Sequence, residues 1–233
     1  MFANYHTHTA RCHHATGEDK AYVEAAIQNG FQVLGFSDHC PWIFSDGYVS
    51  PIRMTPDELD GYVTSLTALK KEYAADITIY IGLESEYVPE MLPEQQKFLQ
   101  DYPIDYQILG EHFLYPEQRG IYTGRPTDNT AELKHYVDQV IAGMETGNYL
   151  YLAHPDLFHF IGDPACYEQE FRRLCVYLKE KQIPIEINQL GFADHRQYPN
   201  PAFLKIAESV GNTAIIGCDA PVSYTHLTLP TIA

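Results

Sequence analysis

Short apolar runs alternate with polar, helix-compatible segments along the chain. Seven runs have the length of strands, and they lie at 2–5, 31–35, 77–81, 104–109, 149–152, 183–187 and 213–216. Strands that alternate with helices in this way predict βα units and a parallel sheet. An open, dinucleotide-binding sheet is the alternative, but it is disfavoured because no glycine-rich phosphate loop follows the first run. The pattern therefore favours an α/β barrel.

Helix starts are marked by capping residues that precede a proline or an acidic partner. These predicted capping residues are Thr55, Asn129, Asp163 and Asn200. We expect Thr16 to cap an earlier helix, which should stop at Gly30 because glycine readily adopts the left-handed conformation that ends helices.

Six of the predicted strands end in motifs that carry histidine or a carboxylate. The motifs are HTH at 6–8, SDH at 37–39, GLE at 82–84, GEH at 110–112, AHPD at 153–156 and GCD at 217–219. In a parallel barrel the carboxyl ends of the strands converge on one face, where active sites are built. We therefore expect one cluster of these side chains, with the long segments 40–54 and 113–128 over its mouth.

A cluster of imidazoles and carboxylates is typical of a metal centre. His6 and His8 share a face of the first strand, because residues two apart point the same way. The candidate ligands are His6, His8, His14, His39, Glu84, His112, His154 and Asp219. Eight ligands exceed the need of one ion, so we expect two or three ions of zinc, manganese or iron(II), with Glu84 as a bridging carboxylate. Closely spaced ions supply a hydroxide nucleophile and favour phosphoryl displacement, which predicts phosphoester hydrolysis.

Composition narrows the possible partners. The 233 residues suffice for one large core, and the formal charge of −16 argues against a nucleic-acid-binding face. Bound cations can still attract a small phosphorylated substrate. Five cysteines without CxxC spacing argue against a disulfide framework. The sequence shows neither a signal-peptide pattern nor an apolar run of transmembrane length, so we expect a cytoplasmic enzyme that contacts neither membrane nor nucleic acid.

Taken in order, these motifs resemble the polymerase-and-histidinol-phosphatase (PHP) family. The resemblance rests on HTH with a further histidine eight residues after the first, SDH, G-x-E, EHF, AHPDL, EIN and a late G-x-D, and it spans 2–220. The extended motifs HTH-x-x-x-C-x-H, LGEHF and AHPDL are most similar to the histidinol-phosphatase branch. The resemblance implies a distorted seven-stranded, TIM-like barrel. It also implies a metal-dependent phosphomonoesterase that converts L-histidinol phosphate to L-histidinol and phosphate in histidine biosynthesis.

The resemblance further implies how the ligands are divided among three ions. The first ion would be held by His6, His8, Glu84 and Asp219, the second by Glu84, His112 and His154, and the third by His14 and His39. Two other functions stay open. One is a PHP phosphoesterase for another small phosphate or for nucleotide ends, and the other is a non-catalytic metal-binding barrel.

Three further residues are candidates for contact with the substrate. Asp156 could protonate the leaving alkoxide, with a loop or capping hydrogen bond as the alternative. Arg125 and Arg196 follow strands and could bind phosphate bidentately, with a plain surface position as the alternative for each. Structural or indirect roles are expected for Asp38, Glu111, Glu186 and Asn188.

The sequence departs from the family pattern at two places. Asn4 stands where the family often has Asp, and Pro221 stands where the last motif has His, so the third ion would lose a ligand. His226 lies too far along the chain to replace it. After Ala220 the helical period fails, so we expect 1–220 to be the PHP barrel, truncated at its C-terminus, and 221–233 to be a foreign tail. A natural Thr-rich tail is the alternative, whereas a foreign tail would leave apolar surface of the last strand uncovered.

Overall fold

The computed structural model describes residues 2–222, and these form two compact units that are interleaved in sequence. The first unit contains 2–84, 89–107 and 218–222, and the second contains 85–88 and 108–217. No linker-like segment separates the units in sequence, since their boundaries fall within strands or next to them.

A parallel sheet lies at the centre of the first unit. Its strands are β1 (Ala3–Asn4), β2 (Val33–His39), β3 (Thr78–Ser85) and the start of β4 (Tyr106–Leu109), in that order across the sheet. The pairs β1–β2 and β2–β3 are parallel, and their register sets His39 opposite Glu84. Two predicted ligands are thereby fixed side by side by backbone pairing alone.

Three helices pack against this sheet. They are α1 (Asp19–Gln28), α2 (Leu59–Glu72) and α3 (Leu92–Leu99). The predicted capping box at Thr55 is confirmed, where it opens a 3₁₀ turn that runs into α2. The prediction that Thr16 caps α1 was wrong, because the helix begins at Asp19 and the Thr16 amide donates to the carbonyl of Pro221 at 2.9 Å. Gly30 has φ +76° and follows the end of α1, as predicted.

Tyr106 supports the first strands from inside the sheet. Its hydroxyl donates to the carbonyls of Tyr5 at 2.6 Å and Phe36 at 3.0 Å. A side chain at Gly35 or Gly82 would collide with the Tyr106 ring. These two glycines are therefore required where the ring crosses β2 and β3.

The segment after residue 217 returns beside the first strand. The His8 amide donates to the Ala220 carbonyl at 3.2 Å, and the Cys218 amide donates to the side chain of Asn4 at 2.9 Å. Asn4 also donates to the hydroxyl of Thr7 at 2.7 Å. An amide can accept and donate at once, which the ionised Asp of the family pattern cannot do.

The second unit contains the end of β4 and the remaining strands. β5 (Ile185–Asn188) and β6 (Ala214–Gly217) pair in parallel. The predicted strand at 149–152 is reduced to one bridging residue, Leu152, which pairs in parallel with Leu109 and Ile185. The described residues thus contain six strands, where seven were predicted, and the seventh predicted strand is the one reduced to bridges at Leu152.

Helices cover the strands of the second unit. They are α4 (Thr130–Glu145), α5 (Pro164–Glu180), α6 (Gln189–Ala193) and α7 (Pro201–Val210). The predicted caps Asn129, Asp163 and Asn200 are confirmed, since each side chain accepts a hydrogen bond from the amide two residues later. Ile216 of β6 is 39% exposed.

The predictions made for 223–233, including the one for His226, lie outside the described residues. Between residues 2 and 222, no helix combines the length and the apolar character needed to cross a membrane.

Candidate metal centre

Six of the eight predicted ligands come together in the first unit. His6 and His8 directly follow β1, His39 ends β2, and Glu84 lies near the end of β3. Asp219 arrives on the returning segment after β6, and His14 lies on the loop that follows β1. Except for His14, which is exposed, these side chains are at least nine-tenths buried. A buried group of this composition fits a metal centre better than a surface cluster.

The donor atoms have the spacing of ligands around one ion. Nε2 of His8 lies 3.0 Å from Asp219, and Nε2 of His6 lies 3.3 Å from Glu84. Nδ1 of His39 lies 3.2 Å from the same Glu84 oxygen. Ligands at about 2.1 Å from a tetrahedral zinc ion are about 3.4 Å apart, and octahedral neighbours are slightly closer. The observed spacing therefore fits zinc and metals of similar size.

The imidazole rings give the same result independently. Two imidazoles bound to one tetrahedral ion place their ring centroids about 5 Å apart, given a metal–nitrogen distance of about 2.0–2.1 Å. The centroids of His6 and His8 are 5.2 Å apart, and those of His14 and His39 are 5.1 Å apart. The centroid of His8 is also 5.0 Å from that of His14 and 4.7 Å from that of His39, so the ring spacing does not divide these histidines between the first and third ions.

The charges of this cluster are strongly coupled. Burial alone would lower the pKa of His8, but the carboxylates of Asp219 and Asp38 raise it well above its usual value. Burial alone would raise the pKa of Asp219, but the adjacent His6 and His8 hold it well below its usual value. A cation is therefore strongly favoured beside Asp219, and a metal ion can take the place of the proton.

Asp38 contacts Nδ1 of His8, the ring nitrogen opposite the candidate metal-binding Nε2. Its Oδ1 lies 3.4 Å from Nδ1 of His8, and its Oδ2 accepts the amide of Thr9 at 3.1 Å and also the Thr9 hydroxyl. A carboxylate on one imidazole nitrogen fixes the tautomer and leaves the other nitrogen as the ligand. The expected indirect role of Asp38 matches these contacts.

A second pair of histidines lies in the second unit. The ring centroids of His112 and His154 are 5.0 Å apart, again the spacing expected for a shared ion. Nδ1 of His112 is 3.0 Å from the buried carboxylate of Glu86. The sequence interpretation missed Glu86, although its position two residues after Glu84 was a usable signal. The prediction that His112 and His154 share an ion with Glu84 stays a prediction.

The carboxylate of Glu186 holds His154 through its backbone. Oε2 of Glu186 accepts the His154 amide and the Asn188 side chain, each at 3.0 Å. His154 has φ +26°, and Asp219 has φ +49°, so two candidate ligands lie in the left-handed region. Non-glycine residues adopt this region at a cost, and such strain concentrates at functional sites. The indirect roles expected for Glu186 and Asn188 match these contacts.

Asp156 is buried two residues beyond His154 and accepts the backbone amide of Asn200. Burial raises the pKa of Asp156 to about 6. The loop hydrogen bond, which was the alternative interpretation of Asp156, is therefore present. This contact does not test whether Asp156 also acts as an acid. Glu111 accepts the Tyr87 amide at 3.1 Å and the Gln139 side chain at 2.9 Å, which suits its expected structural role.

The two candidate phosphate-binding arginines have different surroundings. Arg125 donates to both carboxylate oxygens of Glu132 at 3.0 Å. Arg196 donates to Asp194 at 3.0 Å and to the Tyr198 hydroxyl at 3.1 Å. The Tyr198 ring lies 5.9 Å from that of His154. Arg196 is thereby connected to the histidine pair of its unit, whereas Arg125 is engaged by a helix residue.

Comparison with known proteins shows similarity along most of the chain. A family model described as "PHP domain" matches residues 4–190. The chain is 28% identical over 227 residues to a protein of Deinococcus radiodurans named "Probable histidinol-phosphatase", covering 92% of this chain and 84% of that protein. It is 34% identical over 115 residues to the histidinol-phosphatase of Bacillus subtilis, covering 47% of this chain and 43% of that protein.

A solved structure shares the fold. The crystal structure of histidinol phosphate phosphatase from Lactococcus lactis, complexed with zinc, L-histidinol and phosphate, matches with a TM-score of 0.73 at 19% identity. The match covers 95% of this chain and 87% of that chain.

Proposed function

The chain belongs to the PHP domain family, and from this premise we propose that it is a histidinol-phosphatase. The proposed reaction is the metal-dependent hydrolysis of L-histidinol phosphate to L-histidinol and phosphate, a step of histidine biosynthesis. Similarity to the Deinococcus radiodurans protein over 92% of this chain, and zinc in the Lactococcus lactis structure, support this proposal.

One observation carries the proposal from the chain's own residues. Five pairs of donor atoms lie 3.0–3.6 Å apart, and each pairs an imidazole nitrogen with a carboxylate oxygen; the residues are His6, His8, His39, Glu84 and Asp219. Such mixed sets suit zinc, manganese and iron(II). When bound, two or three of these ions would supply a bridging hydroxide nucleophile and neutralise phosphate charge.

The remaining steps need groups that bind the phosphate and protonate the leaving oxygen. We assign the acid to Asp156, because a carboxyl group with a pKa of about 6 keeps a share of its protons near neutral pH. Of the two arginines, Arg196 is the better candidate for binding phosphate, since it neighbours Tyr198 and so His154. Arg125 is more fully neutralised by Glu132.

The finer features of the fold are also proposed. We expect the parallel strands to belong to a distorted seven-stranded barrel, with the segment around Leu152 as its fifth strand and 1–220 as the PHP barrel. The five free cysteines of the described residues suit a reducing, cytoplasmic location.

The test is phosphate release by the metal-loaded chain. We expect kcat/KM for L-histidinol phosphate to exceed that for an aryl phosphate by at least about 100-fold. An aryl phosphate would leave polar groups of the histidinol pocket without hydrogen-bond partners, which is costly. Glu84→Gln should abolish turnover, while Glu72→Gln, which alters an exposed ion pair with Lys20, should not.

Equal turnover of both substrates would instead favour a PHP phosphoesterase for another small phosphate. A fully metal-loaded chain that releases no phosphate would favour the non-catalytic alternative.

A further inference from the structure

A cysteine lies inside the loop that carries His14. Cys12 ends a 3₁₀ turn, Ala10–Cys12, directly after the HTH motif, and its side chain is fully buried. Its Sγ lies 3.6 Å from Nε2 of His14. Candidate donor atoms of His8, Cys12 and His14 all lie within 4.8 Å of one another. The steps proposed above do not use this thiol.

The loop also fixes the orientation of the His14 ring. His13 has φ +64°, and this left-handed residue turns the chain back so that Nδ1 of His14 faces the Cys12 carbonyl at 3.1 Å. A carbonyl can only accept, so Nδ1 carries the hydrogen and Nε2 has the free lone pair. The nitrogen that can bind a metal is therefore the one that faces the sulfur.

The distance between the Cys12 sulfur and the His14 nitrogen matches that between two ligands of one zinc ion. With a zinc–sulfur distance of about 2.3 Å and a zinc–nitrogen distance of about 2.0–2.1 Å, two tetrahedral ligands are about 3.6 Å apart. The ring centroid of His39 is 5.1 Å from that of His14, while the donor atoms grouped with the sulfur are those of His8 and His14. Pro221 stands where the family pattern has a histidine, and its carbonyl accepts a hydrogen bond from the Thr16 amide.

We propose that Cys12 is a thiolate ligand of the third metal site, together with His14. The thiol proton is released to solvent when the ion binds, as metal ligation by cysteine requires. Thiolate is a soft ligand, so this site selects zinc or cobalt(II) over manganese and magnesium. The proposal rests on the proposed function only in that both need a metal-binding PHP domain.

Cobalt(II) titration of the metal-stripped full chain tests the proposal. We expect a thiolate-to-cobalt charge-transfer band in the near ultraviolet, which nitrogen and oxygen ligands do not produce. Cys12→Ser should abolish the band and lower the bound metal by one ion per chain, and His14→Ala should do the same. Cys166→Ser is the control, because that half-buried cysteine of α5 should leave both readouts unchanged.

Absence of the band in the wild-type chain at full cobalt occupancy would overturn the proposal, as would a band that persists in Cys12→Ser. If Cys12→Ser fails to fold, zinc-edge X-ray absorption of the wild-type chain replaces it, and a spectrum without a sulfur scatterer at about 2.3 Å would be decisive against the proposal. Phosphate release in either of those cases would leave the proposed function standing.

Discussion

Asp38→Asn tests whether the carboxylate of Asp38 determines which ring nitrogen of His8 binds the metal. The substitution keeps the shape of the side chain but replaces one oxygen by an NH₂ group. Oδ2 accepts two donors of Thr9, whereas Oδ1 accepts one backbone amide, that of His39, beside the His8 ring, so the oxygen of the new amide side chain is favoured on the Thr9 side. The NH₂ group then faces Nδ1 of His8, where an N–H must be if Nε2 is to bind the metal.

The expected loss follows from the geometry. Removing a carboxylate that orients a histidine ligand typically weakens metal affinity about 10–100-fold. The contact between Asp38 and His8 is 3.4 Å, which is long for a charge-assisted hydrogen bond of about 2.7–2.9 Å. We therefore expect the lower end, about a tenfold weaker zinc Kd, or about 1.4 kcal/mol.

Zinc titration calorimetry of the metal-stripped chain measures this Kd. Asp76→Asn is the matched control, because it makes the same charge change at an exposed position. Nitrogen NMR shifts of His8 report its tautomer directly and should change only in Asp38→Asn. A zinc Kd within twofold of wild type, with an unchanged tautomer, would refute the reasoning.

Four further predictions concern the site and its support. Glu84→Gln should lower the bound metal by more than one ion per chain, by elemental analysis, whereas loss of one ion or none would show that Glu84 does not bridge. Tyr106→Phe removes the donor to two strand carbonyls and should lower the free energy of unfolding in urea by about 1–3 kcal/mol, and an unchanged midpoint would contradict the role of this hydroxyl. Gly217→Ala would place a methyl group against the buried carboxylate of Glu186 in β5. The free energy of unfolding, followed by thermal melting, should fall by an amount near the upper end of about 1–3 kcal/mol. An unchanged melting temperature would be inconsistent with that contact. Burial raises the pKa of Cys175 to about 12, so native alkylation at pH 8 should label Cys166 and spare Cys175, and mass spectrometry showing equal labelling would disprove this.

Local patterns in the sequence were enough to predict a set of candidate ligands and most elements of the fold. Strand runs, helix caps and the i, i+2 spacing of His6 and His8 depend on residues close in sequence, and this is why the sequence predicts them well. The placement of motifs at strand ends also predicted that His39 and Glu84 would meet, and the parallel register of β2 and β3 confirms it.

Only the tertiary structure decides which groups contact the candidate ligands and which backbone groups form hydrogen bonds with one another. Thr16 does not cap α1, which begins at Asp19, and its amide pairs with Pro221, more than two hundred residues away. Cys12 stands out only once the left-handed turn at His13 brings its sulfur to the His14 ring. The partner that engages Arg125 likewise depends on a fold that aligns a loop with the first turn of α4. The first outcome follows from a distant hydrogen-bond partner and the other two from the conformations of loops, and neither is encoded by periodicity and residue type.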